Sequence, residues 1–506
     1  MNKQVFIVLA TLLVTVSLFA QRRGDQLAFQ GLATPQDVGV KAMAMGGATT
    51  ALSGDLGNLF RNPAGLAGIT SLQLSIGSIS QSRSWQENQE YRPNRIYQTL
   101  PFYLEGLYTP EARYNGMWDH ELAGTLGFDS VTYEIREPDM GLDPFSDEAA
   151  DWKQKLSESG LNNVMAAMPF ALGGRQLVVA AGYSQNILID DFDRNDTYLD
   201  PHIGFNLYGN PPVGTTTDTV SFNWHRFLRE RDGNVTNING AVAVQAFKML
   251  ELGVAVNVMS AETDDSQLLD KVGYFDLVGN NKFRFSYDTL TTQTTGKSDF
   301  SATRFDLGML LKFQRFNVGA KIGLPYTIAR DWQLASTNET VNSGIGTATT
   351  TNSSGTDEID VPATFQLGLS VTPVDNFTFA MDIDIAPYGD ADYRMTSQPM
   401  DSLFQKWADY RALRFGIEYR ATEFLSVMGG YRSLPVTFVP DGAAFDDEGP
   451  ASDSYSFGAS LKLWNLGRID AAYEWRRLRY HDSYYSNTNY VQESLNNFYL
   501  GYAYQF

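Results

Sequence analysis

The side chains able to do chemistry fall into three groups, and none has the spacing of a catalytic centre. Asp190, Asp191, Asp193, Asn195 and Asp196 form an acidic cluster whose oxygens are of the kind calcium takes. No glycine or terminal glutamate completes the known calcium-loop pattern, so a solvated acidic loop is the better reading. The four histidines are His120, His202, His225 and His481. Imidazole ligates metals and haem, but these spacings support neither, and all four are expected in external segments or at their edges. The third group is a set of charges at alternating positions: Arg304, Asp306, Lys312, Lys321, Asp382, Asp384, Arg414, Glu418, Arg432, Lys462, Asp470, Glu474 and Arg476. Charges of both signs on one face can brace a wall by pairing, or line a substrate path. Of these, Arg304, Lys321, Asp382, Asp384, Arg414, Glu418 and Arg432 are the candidate lumen lining. No nucleophile elbow, phosphate loop or zinc spacing is present. With no cysteine there is no disulfide framework, thiolate metal site or lipoprotein anchor. The expectation is a protein with no catalytic residue, no metal and no cofactor.

The elements that carry these charges are strands. In 377–386, Phe377, Phe379, Met381, Ile383 and Ile385 alternate with Thr378, Ala380, Asp382, Asp384 and Ala386. In 413–420, Leu413, Phe415, Ile417 and Tyr419 alternate with Arg414, Gly416, Glu418 and Arg420. The segments 363–372 and 497–506 repeat the pattern. Period two places each set on one face of a strand.

The connections distinguish a membrane barrel from a soluble sandwich. Short turns are expected near Gly173-Gly174-Arg175, Lys248-Met249-Leu250, Gln314, Pro373-Val374-Asp375, Thr422-Glu423 and Asn465-Leu466-Gly467. Between them lie long polar stretches at about 81–160, 190–236, 263–300, 329–358, 387–409, 435–453 and 481–493. Short and long connections alternate strictly, as short periplasmic turns and long external loops do in outer-membrane barrels. A sandwich would have turns of similar length at both ends. Six short and seven long connections join fourteen strands. The expected fold is all-β: a transmembrane antiparallel barrel over 70–506, with long external loops. On its lipid face, Leu252, Val254, Val256 and Val258 form one expected stripe.

The start of the chain supports export. Lys3 precedes an apolar run from Val5 to Ala20, and 1–20 reads as a signal peptide. No later run resembles a spanning helix. Aromatic content of 13% and 44 glycines accompany only 43% hydrophobic residues, as expected where half of each strand faces lipid and half a polar lumen. A net charge of −20 argues against nucleic acid as a partner.

Residues 21–69 do not alternate, and they carry Gly46-Gly47, Gly54, Gly57, Pro63, Gly65 and Gly68. Within them, Asn62-Pro63-Ala64 follows a glycine pair and an alanine-rich stretch. This opening resembles the FadL/TodX family of outer-membrane hydrophobic-compound transporters. The strands beginning Val361-Pro362-Ala363-Thr364-Phe365 and running Leu413 to Arg420 resemble it too. The resemblance spans nearly all of the mature chain. It implies a fourteen-stranded barrel whose N-terminal segment, here 21–69, plugs the lumen as a hatch. Gly46, Gly47, Asn62, Pro63, Ala64 and Gly65 would then sit in the hatch beside the substrate passage. It further implies that hydrophobic compounds such as long-chain fatty acids or aromatic hydrocarbons enter from outside and leave sideways through a gap in the wall. The long loops depart from the simplest members.

The partners expected are a hydrophobic small molecule, outer-membrane lipid and, through the last strand ending at Phe506, the barrel-assembly machinery. Aromatics Phe145, Phe192, Tyr198, Phe205 and Tyr208 are candidates for an external catching groove. The competing reading is a PorV-like component of the bacterial outer membrane that docks or shuttles secreted proteins through the long loops. An open porin is disfavoured by the hatch, and a TonB-driven receptor by the shortness of that segment.

Overall fold

The structure is a computed structural model that describes residues 27–32, 38–91, 142–186, 191–203, 220–278, 282–286, 289–342, 345–400, 406–440, 449–483 and 487–506. The expected signal peptide 1–20, His120, Asp190, Phe205 and Tyr208 lie outside them, as do the side chains of Asn195, Asp196, Tyr198, His202 and His225.

The wall begins with β1 (Gln73–Tyr91), β2 (Trp152–Leu172) and β3 (Arg175–Asn186), the last continuing the same way as β4 (Asp191–Ile203). β5 (Val220–Phe247) and β6 (Leu250–Val278) follow, then a short β7 (Lys282–Ser286) and β8 (Thr289–Lys312). β9 (Phe316–Gly323) runs on as β10 (Tyr326–Asn342), and β11 (Ile345–Val361) as β12 (Thr364–Val374). β13 (Phe377–Ala386), a short β14 (Asp392–Arg394), β15 (Tyr410–Arg420), β16 (Leu425–Pro435), β17 (Ala451–Lys462), β18 (Arg468–Ser483) and β19 (Asn487–Gln505) complete the sheet. Pairing is antiparallel throughout, and the last strand closes on the first, from Gln73 opposite Gln505 to Tyr91 opposite Asn487. Among the described residues, β3/β4, β9/β10 and β11/β12 each make one crossing, which gives a closed 14-strand barrel. Closure pairs the last strand with the first, so the sheet has no free edge strand.

The alternation sorts the two faces. On β6, Leu252, Val254 and Val258 are exposed outward, while Glu251, Gly253, Ala255 and Asn257 are buried inward. On β8, Phe305, Leu307 and Met309 point out and Asp306, Gly308 and Leu310 point in. The apolar belt has an outer limit: beyond Val258 the outward face of β6 carries Ser260, Glu262 and Asp264, and beyond Phe305 that of β8 carries Thr303, Ser301 and Asp299.

Stretches 263–300 and 329–358, expected as loops, are largely strand. β6, β8, β10 and β11 run well past the belt. With water on the outward face, nothing there selects apolar residues, so the hydropathy rhythm fades while the backbone ladder continues. Cross-strand hydroxyls replace apolar contacts, as between Thr337 and Thr350 at 3.0 Å and between Thr294 and Ser336 at 2.6 Å.

Val256 lies on the outward face of β6 within the belt. Val256→Arg should destabilise the barrel by roughly 2–4 kcal/mol if near the midplane. Urea unfolding in lipid, read by heat-modified gel migration, measures this; an unchanged midpoint would place Val256 away from lipid.

Candidate functional site

The N-terminal segment lies against the inward face of the wall. It contains α1 (Val40–Ala44) and two 3₁₀ turns, Leu56–Leu59 and Pro63–Gly68. The sequence starts both turns with a cap. Asp55 accepts from the Gly57 N–H at 2.8 Å, and Asn62 accepts from the Ala64 N–H at 3.2 Å. Pro63 occupies the first position of its turn, where a missing N–H costs nothing. The Asn62 amide also donates to the Thr50 carbonyl at 2.7 Å and to the Met309 carbonyl on β8 at 3.2 Å. Asn62 therefore ties the turn to itself and to the wall.

Gly46, Gly47, Asn62, Pro63, Ala64 and Gly65 are all buried, and the structure brings the box against β6 and β8. The approach is close enough to dictate residue type on the wall: a Cβ at Gly308 would collide with Asn62 and one at Gly253 with Pro63 and Ala64. Gly46 has a φ of 62°, and a Cβ there would lie 2.9 Å from the Phe415 carbonyl oxygen.

The residue just before the box makes the strongest tie. Arg61 donates to Asp384 at 2.9 and 2.6 Å and to Asp382 at 3.2 Å, and its Nε donates to the Thr50 hydroxyl at 3.0 Å. Arg414 donates to the same Asp384 at 2.8 Å, and the Thr50 N–H donates to Asp382 at 2.9 Å. All of these groups are buried. Sequence reading missed Arg61 because nothing in an irregular segment shows which side chain faces a carboxylate more than 300 residues away. The signal available was the pair of carboxylates, Asp382 and Asp384, on one strand face.

The seven candidate lining charges all face inward but divide into three settings. Asp382, Asp384 and Arg414 hold the segment. Glu418 pairs with Lys41 of the segment at 2.9 Å, and Arg432 pairs with Glu474 within the wall. Arg304 and Lys321 share Asp306, at 3.0 and 3.4 Å, and together with Asp384 and Arg61 they line a cavity of about 130 Å³.

Outward from these charges the inner face becomes apolar. Phe300, Ile328, Ile359, Val361, Tyr388, Trp407 and Tyr410 form a buried cluster. The cavity opens between it and the N-terminal segment, with Phe300, Ile328, Tyr388 and Tyr410 among its walls. Phe29 inserts into the cluster, edge-on to Phe300 and Tyr393 at 6.3 Å and to Trp407 at 6.4 Å. Beyond the apolar belt a charge network fixes the backbone on either side of Phe29. Arg231 donates to the Ala28 and Gln30 carbonyls at 3.0 and 3.1 Å and grips Asp265 at 2.7 and 2.8 Å. Arg330 spans Asp265 at 3.2 Å and Asp357 at 3.0 Å. Burial alone would raise the Asp265 carboxyl, but the hydrogen bonds and charges of Arg231, Ser298 and Arg330 outweigh it and hold the group below the ordinary carboxylate range.

Other candidates fall elsewhere. Phe145 packs on Tyr490 and Phe192 on Trp85, both away from the cavity. His481 is exposed beside Tyr490. Asp191 pairs with Arg229, and Asp193 reaches the same guanidinium at 4.0 Å.

The family model described as outer membrane protein transport protein (OMPP1/FadL/TodX) matches residues 194–491, more than half of the chain. No curated protein sequence matches. Among solved structures, a Pseudomonas aeruginosa FadL homologue superposes with a TM-score of 0.59 at 12% identity, covering 92% of this chain and 98% of that one. The P. putida toluene transporter TodX gives 0.56 at 14% identity, covering 94% and 99%. The CymD monoaromatic hydrocarbon channel gives 0.51 at 13%, covering 93% and 97%. At these identities the likeness is one of fold.

Two consequences are measurable. Arg61→Ala leaves Asp382 and Asp384 buried with one partner fewer, a loss on the order of 3–5 kcal/mol. The segment should detach from the wall while the barrel stays folded, read as new protease cleavage within 38–69 without loss of heat-modified migration. For the outer network the sign follows from a depressed carboxylate. Its contribution is full above the unfolded value of about 3.9 and is lost as pH falls through the lower folded value. Cleavage near Ala28–Gln30 should therefore rise under acid, and Asp265→Asn should give the acid pattern at neutral pH.

Proposed function

The chain belongs to the OMPP1/FadL/TodX family of outer membrane transport proteins, and from that premise we propose that it takes up hydrophobic compounds by diffusion through a lumen closed by its N-terminal segment. It is a β-barrel of the bacterial outer membrane. One observation carries the reading: a buried apolar cluster forms one side of the cavity inside the lumen, opposite the charges of Arg304, Lys321 and Asp384. A water-filled pore has no use for Phe300, Ile328 and Tyr388 on its inner face, whereas an apolar ligand needs such a place to leave water. In this reading residues 21–69 are the hatch, and Gly46, Gly47, Asn62, Pro63, Ala64 and Gly65 set its fit to the wall below the chamber.

The substrates proposed are long-chain fatty acids or aromatic hydrocarbons. Two cations, Arg304 and Lys321, share one carboxylate at the cavity wall, which favours an amphiphile with an anionic head over a neutral ring. Sideways release into the membrane is supported where, among the described residues, pairing between β2 and β3 ends, at Asn163 opposite Ser184. Beyond it the described residues of β2 keep β1 as their partner, and those of β4 keep β5. Recognition of β19 by the barrel-assembly machinery is proposed from the exposed aromatic Phe506 that follows it, whose N–H is held by the Leu72 carbonyl at 3.0 Å. Docking of secreted proteins, the competing function, gives no reason for the chamber.

Purified protein should bind hexadecanoate more tightly than toluene, and cells relying on this barrel should take up hexadecanoate. Ala261→Phe, which fills the chamber from β6, should lower binding and uptake while the barrel still shows normal heat-modified migration. A wild-type chain that binds neither compound, yet retains secreted proteins in a pull-down, would replace the transport reading with the docking one.

A further inference from the structure

The three ladders that join four consecutive crossings of the wall, β8, β9/β10, β11/β12 and β13, are interrupted at one height, while β8 stays paired to β6 and β13 to β15. The β9–β12 pairing runs up to Gly323 opposite Thr364, and the β10–β11 pairing resumes at Tyr326 opposite Val361 in the same register. That register leaves Leu324 facing Ala363 and Pro325 facing Pro362, with no ladder between them. Proline has no N–H, so neither member of the facing pair can donate and the ladder cannot close there.

The interruption spreads to both sides. β8 pairs with β10 as far as Ala302 opposite Ile328 and with β9 from Asp306 opposite Gly323, so Thr303, Arg304 and Phe305 fall outside both ladders. The Leu324 N–H reaches across to the Phe305 carbonyl at 2.8 Å. On the other side β13 follows β12 up to Ile385 opposite Phe365, and β14 meets β11 at Asp392 opposite Asp360. The chain between them departs into the turn Tyr388–Asp390.

A local kink would account for one proline, but not for the cavity reaching the same line. The cavity is lined there by inward Tyr326 and Ala386 and also by Phe365 and Ile385, which sit at outward positions. On the lipid side, Phe305, Leu324, Phe365 and Ile385 are exposed and stand at the outer limit of the apolar belt. Between Leu324-Pro325 and Pro362-Ala363, side chains rather than a ladder therefore separate the cavity from the membrane. Irregular backbone at membrane depth is costly unless it borders protein or a cavity. We propose that the seam at the facing prolines is a lateral port through which an apolar chain passes between the cavity and the outer leaflet. It is separate from the interruption between β2 and β3. This inference rests on the transport reading above.

The chain has no cysteine, so a staple can be placed cleanly. Leu324→Cys with Ala363→Cys puts two thiols on facing residues of antiparallel neighbours, within reach of a disulfide. Ala320→Cys with Leu367→Cys is the control, a facing pair in the unbroken part of the same two strands. Radiolabelled hexadecanoate is followed in two ways, by binding to purified protein and by uptake into cells that rely on this barrel. The oxidised seam staple should keep binding but lower uptake well below that of the unmodified chain, leaving only what passes at the β2–β3 interruption, with dithiothreitol restoring it. The oxidised control staple should take up hexadecanoate like the unmodified chain. If the staple impairs assembly, Pro325→Val with Pro362→Val restores both N–H donors and should likewise lower uptake with binding intact. Normal uptake through the stapled or valine-closed seam would overturn the port and leave the transport reading standing. Absence of both binding and uptake in the unmodified chain would overturn the transport reading and the port together.

Discussion

A peptide group surrounded by hydrocarbon has no water to bond to, and that constraint organises the whole wall. A polar group left unsatisfied there costs several kcal/mol, so the crossings must pair on both sides and the last must return to the first. β19 does this against β1 along the full length of both strands. The same constraint makes each lapse informative. Pairing between β2 and β3 stops at Asn163 opposite Ser184, and the ladders around Pro325 and Pro362 stop together.

Closing the sheet turns one face of every strand inward, and there a second cost arises. Buried charges must be neutralised locally, and the wall does this with pairs such as Arg432 with Glu474. Asp382 and Asp384 are different, because β13 supplies two carboxylates to one inner face and the neighbouring β15 supplies only Arg414 facing Asp382. Arg61, brought in by the N-terminal segment, completes the balance. The segment and the barrel are therefore electrostatically incomplete without each other. Small residues make room for this: the wall is glycine where the Asn62-Pro63-Ala64 turn touches it, at Gly253 and Gly308.

The parts of this design visible in the sequence were those that repeat. Period-two alternation gave the strands and their facing, and strict alternation of short with long connections gave their number. The inward position of Arg304, Lys321, Asp382, Asp384, Arg414, Glu418 and Arg432 followed from the same rule. Two features were hidden because they depend on contacts between distant segments. Arg61 looks like any arginine in an irregular stretch until Asp384 is placed beside it. The facing of Pro325 and Pro362 depends on the register of two strands, which neither proline reveals alone. Strand length beyond the belt was hidden for another reason. With polar surroundings on the outward face, a threonine-rich strand carries no hydropathic period, so β10 and β11 looked like loop.

The chamber shows how the inner face can change character without breaking the alternation. Along β8 the inward positions run from Leu310 and Gly308 through Asp306 and Arg304 to Ala302 and Phe300, so one strand face passes from the N-terminal segment to the charge cluster and then to the apolar cluster. The period along β8 stays two throughout, so the change of character on its inner face is made by residue choice. An apolar group inside a barrel must be covered, and here Phe29 supplies part of the cover while Arg231 holds the backbone around it. The cover is held by polar contacts at its edge and by ring contacts at its centre. With Phe29 in place, Phe300, Tyr393 and Trp407 pack on a ring rather than on water.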